Sequence, residues 1–202
     1  MSVAKLVKYL NKNVYFTNLL LIPSLITSIT IYKDSLHISG QHEGIQDELY
    51  TYFWLFLTCY IVIVILASTI HHFFMFSDIR EKYPRILKID LITAPIFGLI
   101  LLGLTILYGR FLLGKCFESE NKYPQMYISS VIFMSVGLLI WILKRIFMKG
   151  WKERGLLYKI KYLEAHTFFH YISYTGVMMM LFLIMFENKL IYETLFTDLC
   201  DK

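Results

Sequence analysis

Charge is scarce in this chain of 202 residues: Asp, Glu, Lys and Arg together make up 17% of it, where a soluble globular domain carries about a quarter. Cysteine is scarcer still. Cys59, Cys116 and Cys200 stand far apart with no Cys-x-x-Cys pair, which argues against a disulfide framework and a thiolate metal site. No internal repeat or low-complexity stretch is evident, and residues 1–13 are polar and lysine-bearing. The apolar run that follows them has no small-residue cleavage site, so no cleavable signal peptide is expected.

Apolar side chains are abundant instead. Hydrophobic residues reach 57% and aromatic residues 17%, with a mean hydropathy of +0.56. A 23.9 kDa globule cannot hide that excess, and its surface would aggregate. A soluble enzyme and a disordered linker are thereby excluded, and an integral membrane protein is expected. The net charge of +5 then reports loops against an anionic membrane surface. The basic run 149–161 fits a headgroup-facing loop. It has no aromatic stacking platform, so nucleic acid is not an expected partner.

A spanning helix needs about 20 mainly apolar residues. Five stretches qualify, at about 14–32, 50–76, 87–109, 126–148 and 165–186, the third with a run-on towards Leu113. The expected fold is all-α: a single polytopic transmembrane helical bundle over 1–202. Pro23 and Pro95 fall within spans, which membrane helices tolerate when neighbours satisfy the freed carbonyls. Lysine and arginine set the orientation. The N-terminal tail carries Lys5, Lys8 and Lys12, and the loop after the second span carries Arg80, Lys82, Arg85 and Lys88. The loop after the fourth carries Lys144, Arg145, Lys149, Lys152, Arg154, Lys159 and Lys161. The loop after the first holds Asp34, Glu43, Asp47 and Glu48 against Lys33 alone. The N-terminus is accordingly read as cytosolic. Tyr15, Tyr50, Tyr52, Phe53, Tyr108 and Tyr127 fit an interfacial aromatic belt.

Ionisable side chains inside a span are costly, and each asks for a reason. Ser68 and His72 sit four apart near the end of the second span, with His71 beside them. Asp90 lies near the start of the third, and His166 and His170 sit four apart near the start of the fifth. Spacing of four puts two side chains on one helix face, so two imidazoles can close on one ion, whereas His71 points about 100° away. The orientation brings all these residues to the cytosolic layer, and three imidazoles with an open fourth position is the ligand count of catalytic zinc. His37 and His42, in an acidic outer loop, read as solvated, and Met178, Met179 and Met180 as packing or lipid-facing.

Ser68-x-x-x-His72 late in one span, Asp90 opening the next and His166-x-x-x-His170 opening the last resemble the CREST superfamily of membrane hydrolases. That group includes alkaline ceramidases and progestin and adiponectin receptors. The stretches Ala67-Ser68-Thr69-Ile70-His71-His72 and Lys88-Ile89-Asp90-Leu91 are similar in kind. The family has seven spans where this chain has five. The resemblance implies Zn2+ held by His72, His166 and His170, with Asp90 orienting or deprotonating the zinc-bound water. Ser68 would hydrogen-bond that water or the developing oxyanion. The implied reaction is hydrolysis of a lipid amide or ester, ceramide-like in kind. The alternative is a non-enzymatic multi-pass protein, receptor-like or structural, with a structural zinc site or none. Five spans are few to enclose a lipid chain, which leaves room for an oligomer or a partner protein.

Overall fold

The computed structural model describes residues 16–39, 45–74, 84–113, 124–147 and 155–196. Apart from Gly155, every described residue is helical. A short 3-10 turn, Asn18–Leu20, leads into α1 (Leu21–Ser39), followed by α2 (Ile45–Phe74), α3 (Pro84–Leu113), α4 (Pro124–Phe147) and α5 (Leu156–Phe196). Proline marks three of the helix starts for a common reason: it has no N–H, and the first turn needs none. Pro84 and Pro124 are the first residues of their helices. Pro23 sits in the first turn of α1, just past the 3-10 turn in which the Leu21 N–H bonds the carbonyls of Asn18 and Leu19.

Among the described residues, five segments are long and apolar enough to cross a membrane: Asn18–His37, Glu48–Phe73, Ile92–Gly109, Gln125–Lys144 and Ile160–Phe186. The expected number of spans is therefore present, and the protein is a multi-pass helical membrane protein. The boundaries shift. Helix α1 runs on to Ser39, so Lys33 and Asp34 lie on it rather than in a loop, with His37 exposed in its last turn. Helix α5 begins nine residues before the expected span and extends ten beyond it, taking Lys159 and Lys161 out of the expected loop. Hydropathy marks where lipid must be met, whereas the helical backbone hydrogen bonding runs on past it.

Each helix is written for two environments. On α2 the buried positions run Tyr50, Trp54, Leu57, Ile61 and Val64, a spacing of three and four that keeps them on one face. Leu55, Phe56, Val62, Ile63, Leu66 and Ile70 cover the opposite face and are exposed, as lipid contact requires. Helix α5 is buried through Tyr174, Val177, Met180, Leu181 and Ile184, and it touches α1, α3 and α4. Met180 is thus core, and Met178 and Met179 are half-buried. Two aromatics expected at the interface are core as well, Tyr50 and Tyr108, while Tyr52 is exposed. Cys59 is free and exposed, and Cys116 and Cys200 lie outside the described residues.

Lipid tails give no hydrophobic drive for helix association, so close packing and interhelical hydrogen bonds must do it. Hydroxyl-to-carbonyl bonds of this kind join helices to one another: Thr51 Oγ1 to the Ser35 carbonyl, Tyr60 Oη to the Thr93 carbonyl, Tyr127 Oη to the Thr105 carbonyl and Ser130 Oγ to the Gly176 carbonyl. The α4–α5 seam is the tightest. A Cβ placed on Gly176 would lie 3.0 Å from both the Ser130 carbonyl oxygen and the Met134 backbone nitrogen, which only backbone movement can relieve. Gly176→Val is expected to cost about 1–3 kcal/mol by overpacking. Thermal unfolding in detergent should show a midpoint several degrees lower, and an unchanged midpoint would mean that the two helices do not approach this closely.

Candidate metal centre

The buried stripes of α2 and α5 do not stay apolar to their ends. On α2 the sequence of core positions continues from Val64 to Ser68 and His72, and on α5 it starts Leu163, His166, His170 before reaching Tyr174. The polar residues therefore occupy core positions where the end of α2 meets the N-terminal part of α5. His166 lies ten residues after Leu156, about 15 Å along the helix, so it is several turns in rather than at the helix start.

His72, His166 and His170 come together. All three are buried, and one ligand atom from each falls within 4.8 Å of the others. Their ring centroids are 4.5–5.2 Å apart. The Nε2 atoms of His72 and His166 face each other at 3.1 Å. Two ligands on one tetrahedral zinc, each about 2.0–2.1 Å from the ion, would sit about 3.3 Å apart. Among the described residues no carboxylate or thiol joins the three imidazoles. The donor set thus fits zinc.

The surroundings hold the rings. Thr17 Oγ1 lies 2.8 Å from His170 Nδ1, and a threonine accepting from Nδ1–H leaves the Nε2 lone pair for an ion. Tyr174 packs on His170 at 4.9 Å, and Tyr162 and Phe169 flank His166. Both aromatics also face Lys144, whose Nζ is 5.0 and 5.2 Å from their ring centres. Lys144 hydrogen-bonds His166 Nδ1.

Lys144 is the main correction to the sequence reading. It was expected in the loop after the fourth span, yet it lies on α4, buried, in contact with the cluster. A long stem carries the ammonium inward along the helix. Thr17 and Asn18 were not singled out at all. The available signal was a polar pair at the start of the first span, in the layer where the histidines were expected. Ser68 is buried and gives its hydroxyl proton to Asn18 Oδ1 at 3.0 Å. His71 stays outside the triad, its ring edge-on to His72. Asp90 is helical in α3, but its side chain lies outside the described residues, as does His42.

No family model, curated protein or solved structure matches this chain. The chemistry of the site accordingly rests on its own geometry. Thr17→Val keeps the shape and removes the oxygen beside His170. Outer partners of this kind are worth about 10–100-fold in metal affinity. Chelator competition should show zinc binding weakened by that factor, and unaltered affinity would exclude Thr17 from orienting His170.

Proposed function

We propose that this protein is a zinc-dependent membrane hydrolase that cleaves a lipid amide or ester, ceramide-like in kind, as its resemblance to the CREST superfamily implies. One observation carries the reading: three buried histidines from two helices whose ligand atoms lie within 4.8 Å, in a layer where unpartnered polar groups are costly. His72, His166 and His170 hold the ion through ring nitrogens. When bound, zinc supplies a Lewis acid for the acyl carbonyl and activates water near neutral pH. As the resemblance implies, Asp90 would orient the attacking water or take a proton from it, and that proton would go to the leaving amine or alcohol as the C–N or C–O bond breaks. Loop charges support a site in the cytosolic leaflet, with the N-terminus on that side.

His166→Ala/His170→Ala tests the reading directly. Purified protein should carry near one zinc per chain, and the double variant should lose both the metal and the hydrolysis of a fluorescent ceramide. Turnover that survived metal loss would sink the mechanism.

A second reading has an observation of its own. Lys144 can donate to His166 Nδ1, and His166 Nε2–H can then donate to His72 Nε2, a hydrogen-bond chain that links the three side chains without any ion. In that case the cluster ties α2, α4 and α5 together in a non-enzymatic protein. Lys144→Met separates the two. On the structural reading it strips a partner from a buried histidine at about 1–3 kcal/mol, lowering the thermal midpoint by several degrees. On the hydrolase reading it removes a competing cation, so zinc affinity stays the same or rises.

A further inference from the structure

Asn18 is fully buried and sits between the two helices that carry the histidines. Its chain neighbour Thr17 touches His170 on α5, and its own side chain touches Ser68 on α2, one helical turn before His72. A carboxamide offers one acceptor oxygen and two N–H donors on nitrogen. The oxygen is used, since Ser68 Oγ donates to Oδ1 at 3.0 Å. The nitrogen is not: among the described residues, Asn18 Nδ2 meets no acceptor. Leaving a buried amide donor unmade is costly, and such a group in a polar cluster asks for a ligand.

The inventory of protons sharpens this. A serine hydroxyl has one hydrogen to give, and that of Ser68 is committed to Asn18. It cannot at the same time donate to a substrate oxygen, whereas Asn18 has donors to spare. A carboxamide pinned by its oxygen is also fixed in direction, which is what stabilisation of developing negative charge requires. We infer that Asn18, rather than Ser68, is the donor that meets the carbonyl oxygen of an acyl ligand at the histidine site, with Ser68 as the positioning residue that holds its carboxamide. The inference rests on the hydrolase reading above and names the group that steadies the tetrahedral oxygen of that reaction.

The test uses zinc-loaded full-length protein in detergent micelles and two probes. Decanoyl hydroxamic acid binds zinc through two oxygens, one of them an acyl carbonyl oxygen. Decanethiol binds through sulfur and has no such oxygen. Asn18→Leu should leave zinc content and thiol affinity unchanged while hydroxamate binding weakens about tenfold, the worth of one hydrogen bond. Ser68→Ala should weaken hydroxamate binding by a smaller factor. Asn18→Asp keeps the oxygen for Ser68 but has no N–H, so its hydroxamate-to-thiol affinity ratio should fall as well, and it serves if the leucine variant misfolds. Unchanged ratios in both Asn18 variants would overturn the assignment, as would a loss seen only in Ser68→Ala. Equal weakening of both probes, or loss of zinc, would make Asn18 a scaffold residue. Wild-type protein that bound zinc but gave those outcomes would remove Asn18 alone. Wild-type protein that bound no zinc would remove the hydrolase reading and this inference with it.

Discussion

Inside a bilayer a polar side chain has no water to turn to, so whatever hydrogen bond it makes must be supplied by the protein itself. The polar end of this bundle is organised by that constraint. His72 on α2 meets His166 on α5, His166 meets Lys144 on α4, and His170 meets Thr17 at the lead-in to α1. Ser68 and Asn18 close a second link between α2 and the N-terminal turn. One cluster therefore joins four chain segments through contacts that none of them could satisfy alone. The remainder of the bundle is held by single hydroxyl-to-carbonyl bonds and by apolar packing.

On the proposed hydrolase reading the same residues would serve chemistry as well as architecture, and the two demands conflict at Lys144. A metal wants His166 Nε2 deprotonated and Nδ1–H paired with an acceptor. An ammonium group wants the opposite tautomer. The Lys144 contact and an ion on the proposed site would therefore call for different tautomers of His166. Helix α5 is central to either state, because it brings two of the three histidines as well as the aromatic rings that enclose Lys144.

Much of this was legible in the sequence. Five spans follow from hydropathy, and the meeting of His72 with His166 and His170 follows from spacing of four and from alternation of the spans. The helix ends were less legible, since α1 and α5 continue past the apolar stretch into residues that hydropathy scores as loop. Lys144 was misread for a physical reason: a lysine at a span end usually snorkels outward to the interface, and only the tertiary packing of Tyr162 and Phe169 turns it inward. Asn18 gives no sequence signal of its own, because an asparagine near a span start is commonplace. Its importance lies in an unmet donor, a property of three-dimensional placement that no spacing rule encodes.

The length of α5 has a mechanical consequence. Its 41 residues make a rod of about 60 Å, twice the thickness of a hydrocarbon core, so it must stand out into water even when the rest of the bundle is embedded. An unbroken helix transmits tilt from end to end. His166, His170 and Gly176, where α5 lies against the α4 backbone, are thus carried on the same continuous rod as the turns past Phe186.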